Sequence, residues 1–365
     1  MKRWLVLGLT VGACTGGRPG PTRVPADTGF AELVALLSEP GGYFDTDNLI
    51  SNERSYLRAV PALESDDLRG RAYLGVGPSQ NFSYIAAMRP AVAFIVDIRR
   101  DNLLEHLLFK ALFELSPTRA GYLARLLGRP PPDTAGAGGA DIDRIVESID
   151  ALAPDPDAAS ASLAAVATKV RGYGIPLSED DLATIAAFHQ AFIDAGLDLR
   201  FRSFNRAPQW YYPTYRELLL ETDATGRRRN LFATAGAYGF VRDLEMADLI
   251  IPVVGNLAGP HAVRAIGDYL RSRNLTVGVF YTSNVEFYLF GDGTFDRFVA
   301  NLDGLPLADG ALIVRSIFGR LGSGPGRLPG YGSTQLTASA RGLVDSYQQG
   351  GIVRYRDLWR ESIRP

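Results

Sequence analysis

Residues 71–101 read RAYLGVGPSQNFSYIAAMRPAVAFIVDIRRD, and this stretch constrains the fold more than any other. It holds two strand-length stretches, Arg71–Val76 and Ala91–Ile98, apolar but for Arg71 at the start of one and Asp97 near the end of the other. Each is short enough for a strand, and neither alternates with polar residues as a strand with one wet face would. Strands buried on both faces belong to parallel sheets covered by helices. Parallel neighbours need a crossover, and NFSYIAAM between the runs is helix-compatible. The glycine turn GVG closes the first run and Asp97 ends the second. Strand, glycine turn, helix, strand and acid make one βαβ unit.

The same alternation continues. Strands are expected at Asp198–Ser203, Leu249–Val254, Thr276–Tyr281 and Ala311–Ile317. Helices are expected at Phe30–Leu37, Tyr238–Met246, Ala262–Arg273 and Phe295–Leu302, with a helical tail from Gln335 to Gln349. Asp101 opens another helix whose Leu103, Leu104, Leu107, Leu108, Leu112 and Leu115 form a wide apolar stripe. Ser178 and Asp181 have capping-box spacing, and Gly196 stops the helix they start. The pattern predicts an α/β fold: an open, doubly wound, Rossmann-like and mostly parallel sheet with helices on both faces. From 129 to 176 the composition shifts, with PPPDTAGAGG and APDPDAASAS flanking two short helical stretches. This segment reads as a helical insertion, mobile in part and without chemistry of its own.

The N-terminus carries a different signal. Lys2 and Arg3 precede the apolar run Trp4–Ala13, which is too short to span a bilayer, and Val11-Gly12-Ala13 leads into Cys14. The order matches a lipoprotein signal over residues 1–14, in which the Cys14 thiol takes lipid. Residues 15–28, rich in Gly, Pro and Thr, then form a tether, and 29–365 the folded domain. The expected location is the bacterial cell envelope, anchored on the periplasmic side, with membrane contact through the lipid on Cys14. The alternative is a cytoplasmic protein in which Trp4–Ala13 is a strand or helix. Cys14 is the sole cysteine, so disulfide chemistry is excluded. Net charge is −2, and no basic stripe interleaved with aromatics occurs, so no nucleic acid partner is expected. No metal-ligand spacing, nucleophile elbow or Walker loop is present.

In open α/β sheets ligands sit beyond the carboxyl ends of the strands. The first strand delivers Gly75, Gly77 and Ser79 there, and the second delivers Asp97. Asp97 lies roughly 20 residues past the turn, where a carboxylate can meet a ribose. The strand at 249–254 leads into Gly255, Asn256, Gly259 and His261, and the next into Tyr281, Ser283, Asn284 and Glu286. SNERSYL at 51–57 and SNVEFYL at 283–289 echo one another, each with a glutamate. Asn52 and Glu53 are therefore candidate substrate-binding residues, on a segment expected to fold over the pocket and meet the end of the 276–281 strand. QWYYPTY at 209–215 offers an aromatic lid or loop packing. His189 reads as a core histidine and His106 as a solvated one.

Residues 71–101 resemble the cofactor-binding half of class I S-adenosylmethionine-dependent methyltransferases. With DNLISNERSY, PVVGNLAGPHAVRAIGDYL and YTSNVEFYL, the chain is similar to an uncharacterised bacterial family with that core, over roughly residues 40–320. The resemblance implies S-adenosylmethionine as cofactor, with Gly75, Gly77 and Ser79 at its methionine end and Asp97 on its ribose. It implies Asn256, Tyr281, Asn284 and Glu286 on the side of an unknown small-molecule methyl acceptor. Tyr73 stands where such enzymes commonly carry an acid, and Ser79 replaces their third loop glycine. The alternative is a non-catalytic, lipid-anchored small-molecule-binding lipoprotein on the same fold.

Overall fold

A computed structural model describes residues 28–130, 141–205, 207, 209–318, 330–360 and 362. Cys14 and the start of the tether lie outside these residues. Among them, six strands form one sheet: β1 (Ala72–Gly75), β2 (Val92–Asp97), β3 (Ile250–Val254), β4 (Val277–Ser283), β5 (Leu307–Phe318) and β6 (Ser333–Ser339). Their spatial order is β3-β2-β1-β4-β5-β6. The chain steps from β1 outward to β3, returns to lay β4 on the other side of β1, and steps outward again. All pairs are parallel except β5–β6, which is antiparallel. This is a mostly parallel, Rossmann-like α/β sheet whose winding reverses between β1 and β4.

Local sequence accounts for most of this. VAFIVD in β2 is buried along nearly its whole length, as a strand with both faces covered must be. Pro252 interrupts β3 without harm because β3 is an edge strand and has a neighbour on one side only. The helices are α1 (Phe30–Leu37), α2 (Val60–Leu63), α3 (Gln80–Met88), α4 (Arg100–Leu115), α5 (Arg119–Leu126), α6 (Ile142–Ala151), α7 (Pro156–Arg171) and α8 (Glu179–Ala195). After these come α9 (Tyr215–Leu219), α10 (Ala235–Met246), α11 (Ala262–Ser272), α12 (Val285–Gly291), α13 (Phe295–Asp303) and α14 (Ala340–Gln348). One set packs around α4, against α7, α8 and α10, with α3 lying on α10 and touching α4 through Phe82, and another joins α1, α11, α13 and α14.

Several expectations are corrected. Asp198–Ser203 is not a strand: it makes only isolated bridges, Arg200 with Thr214 and Thr46 with Ser203. The helical tail begins at Ala340, capped by the Ser339 hydroxyl, and the residues before it form β6 along β5. His106 is not solvated but 2% exposed, because α4 is covered on several sides at once. Within 129–176 the described residues include α6 and α7, which bury Ile142, Ile145, Val146 and Ile149, and Val166 and Val170. Those helices are packed against the rest of the chain. His189 is fully buried and meets the Arg125 carbonyl.

Candidate functional site

The β1–α3 turn is built by Asn81. Its amide donates to the carbonyls of Val76 (2.9 Å) and Pro78 (2.8 Å), and its Oδ1 accepts from the Tyr73 hydroxyl (2.7 Å). A Cβ at Gly75 would fall 1.9 Å from Asn81 Oδ1, so only glycine fits there. Gly77 has φ of +79°, which favours glycine for a separate reason. His106 meets the Gly77 carbonyl at 3.0 Å, and burial lowers its pKa to about 4. The neutral ring therefore carries its proton on Nε2, as a donor. Ser79 precedes α3 and makes no capping bond with its side chain.

Glu53 sits at the centre of the strand ends. Its Oε2 accepts from Gln80 Nε2 (3.0 Å), Tyr281 OH (2.8 Å) and Gln335 Nε2 (3.0 Å), and its Oε1 from the Ser283 hydroxyl. Ser55 donates to Gln335 Oε1 (2.5 Å) and Ser51 to Gln80 Oε1. The two echoing segments therefore meet, through Glu53 on one and Ser283 on the other. Burial, and then the Glu53 charge, push the Tyr281 phenol well above its ordinary range, so it stays a donor. Gln80 and Gln335 were not foreseen as partners. Asn52 and Asn284 are half-buried beside the network. Next to it Ser51, Gln80, Ser83 and Asn230 line a cavity of about 40 Å³, room for a few waters at most.

The other nominated residues are also held by the chain. Asp97 accepts Arg99 Nε on Oδ1 (3.1 Å) and Arg99 Nη2 on Oδ2 (3.1 Å). Arg99, itself 5% exposed, reaches on to the carbonyls of Thr46 and Asp47. Glu286 is not a free acid: it forms a fully buried pair with Arg315 (2.7 Å). Asn256 uses its Oδ1 to accept the Ala258 N–H (2.9 Å), as a turn residue does. Glu39 accepts the N–H groups of Asn256, His261 and Ala262, so the start of α11 already faces a carboxylate. His261 meets the Leu36 carbonyl.

The turn is closely occupied by the chain itself: both Asp97 oxygens accept from Arg99, and Asn48 Nδ2 lies 3.3 Å from where a Cβ on Gly77 would stand. Open space lies instead beyond the carboxyl end of β3. There Val34, Leu103, Ile175 and Val254, with Ser38 and Arg100, border a pocket of about 280 Å³. Arg100 is tied to Asp181, whose pKa it pulls down to about 2. Among the described residues no cluster of His, Cys, Asp or Glu has the geometry for a metal ion.

Fold and edge together define an α/β protein of Rossmann-like class with its polar groups gathered at the carboxyl edge of the sheet. The model of a domain of unknown function (DUF7790) matches residues 48–129 and 181–334, and the chain belongs to that family. Helices α6 and α7 fall outside the matched residues. No curated protein matches the chain.

Proposed function

We propose that this chain is a small-molecule-binding protein on a methyltransferase-like sheet, held at a membrane of the cell envelope through lipid on Cys14. The observation that carries this reading is the engagement of the reactive groups. Asp97, Tyr281, Glu286 and Asn256 each hold another part of the chain, while the roomier space lies at the end of β3. That pocket suits a compact apolar body with a polar head toward Ser38 and Arg100. A second reading, S-adenosylmethionine-dependent methyl transfer, draws on the glycine turn and on Asp97 beside it. It requires the Asn48 side chain to swing clear of Gly77.

Two titrations separate the readings. The fluorescent probe anilinonaphthalene sulfonate, an aromatic body with an anionic head, should bind at one saturable site. Ala35→Trp, which fills the pocket from its exposed rim, should abolish that binding. Calorimetry with S-adenosylmethionine and S-adenosylhomocysteine should give no heat of binding. Adenosyl binding that disappears in Asp97→Asn would restore the enzyme reading, and absence of saturable probe binding would remove the pocket. The anchor is tested by the mass of the mature N-terminal peptide: residues 1–14 found intact on a soluble protein would end that claim.

A further inference from the structure

Four large aromatic side chains stand out from an otherwise well-packed molecule. Tyr43 is 74% exposed, Trp210 73%, Phe204 63% and Phe287 39%. They belong to segments that meet at the carboxyl edge of the sheet. Thr46 bridges Ser203, and Asp45 accepts from both the Tyr43 hydroxyl (3.2 Å) and Asn205 (2.8 Å), which brings Tyr43 beside Phe204. Phe44 packs edge-on against Tyr288 at 4.9 Å, so Phe287 borders the same segment. Trp210 lies on the excursion that carries Phe204, whose base is closed by the Arg200–Thr214 bridge.

We propose that this aromatic edge is a membrane-contact surface, seated in the interfacial layer of a lipid bilayer. Tyr and Trp combine an apolar ring with a polar tip, and they collect where a surface is apolar on one side and wet on the other. The choice of a bilayer over a protein partner rests on the Cys14 anchor proposed above and on the path of the chain. Helix α1 ends at the carboxyl end of β3, where Ser38 accepts the Val254 N–H and Glu39 donates to the Val254 carbonyl. The eight residues of α1 span about 12 Å, so the tether joins the domain close to this edge. Residues 15–27, fully extended, reach about 45 Å. A lipid on Cys14 would hold the aromatic edge within reach of the bilayer without obliging it to touch.

The test uses the chain lacking residues 1–14, which keeps every described residue and removes both Trp4 and the anchor. It is mixed with vesicles of phosphatidylethanolamine and phosphatidylglycerol, and separately with phosphatidylcholine. The expected result is sedimentation with both, a blue shift of Trp210 emission, and protection of Trp210 from acrylamide. The shift should be absent in Trp210→Phe. Phe204→Ser with Trp210→Ser should weaken vesicle binding roughly tenfold or more while leaving the unfolding midpoint unchanged. Three results would overturn the proposal. One is no change in Trp210 emission at saturating lipid. Another is binding abolished by high salt and indifferent to the double substitution, which would mark a purely electrostatic contact. The third is Trp210-dependent self-association, which would make the patch an interface between copies. Because the anchor is absent throughout, failure here is distinct from failure of the Cys14 reading.

Discussion

Glu53 and Glu105 are each 1% exposed, yet the molecule treats them in opposite ways. Glu53 receives donors from α3, β4 and β6, so its carboxylate is solvated by the protein. Glu105 lies on α4 behind the glycine turn, and neither of its oxygens has a partner, nor do Asn102 Nδ2 and His106 Nδ1 on the same face. Burial pushes the Glu105 carboxyl well above its ordinary pKa, although the Arg99 charge pulls it back. One site keeps a buried acid by surrounding it with donors; the other keeps it by favouring the neutral form. A buried carboxylate at a strand end is therefore no evidence of catalysis until its partners are counted.

The sharpest way to break this comparison is Glu53→Ala. It strips the acceptor from Gln80, Gln335 and Tyr281 together and should cost roughly 3–5 kcal/mol of unfolding free energy in urea. A loss under about 1 kcal/mol would mean that the network is not closed in solution. Asp97→Ala comes next, at about 3 kcal/mol, because it leaves the buried Arg99 guanidinium unpaired. A merely ligand-binding Asp97 would leave stability unchanged, so the same variant also weighs the ribose reading. Glu105→Gln should go the other way, neutral or stabilising by about 1 kcal/mol, since it removes an unpartnered acid.

The pH dependence follows from the same contrast. Burial raises Glu245 from 4.5 to about 8, and Glu105 moves in the same direction. An acid with a raised folded pKa binds its proton more tightly in the folded state. Its contribution is complete below the unfolded value and is lost as pH rises toward the folded one. Between pH 4.5 and 6.5 the buried His106 and His189, each lowered by burial to about 4, act in the opposite direction, because the unfolded chain binds their protons more tightly. Unfolding free energy should therefore fall above pH 6.5 toward about 8, and Glu245→Gln should flatten that slope. Denaturant curves from pH 6.5 to 8 would show it; a flat wild-type profile there would contradict it. The smallest effect belongs to Trp210→Ser, within about 0.5 kcal/mol, because the ring has little folded-state cover to lose.

Much of the sheet was legible because parallel strands announce themselves locally. VAFIVD and the run around Leu74 are buried on both faces and need no knowledge of their neighbours. Strand β6 was not legible: STQLTAS has weak strand propensity and is fixed by its pairing with β5. Its residues blend into the helix that Ser339 starts. Asp198–Ser203 misled for the converse reason, having strand-like residues and no strand to lie beside. At the site, the meeting of 51–57 with 283–289 was visible as a repeated string. The roles were not, since Arg99, Arg315 and Gln335 find their partners through the fold, and no spacing marks them in advance.

The antiparallel placement of β6 has a consequence for assembly. Because β6 runs against its neighbours, it starts where β5 ends, and so Ser333 and Gln335 arrive at the carboxyl edge. Gln335 is 282 positions from the Glu53 it serves. Synthesis proceeds from the N-terminus, so Glu53 emerges long before the last of its four donors exists, and it must stay hydrated meanwhile. The segment around Glu53 can take its final seat only after the last strand has been made. Contacts of such range close slowly, because the intervening chain must be ordered first. The two ends of the domain are thus locked in one late event, and a chain stopped short of residue 333 would leave its N-terminal segment unseated over an open sheet edge.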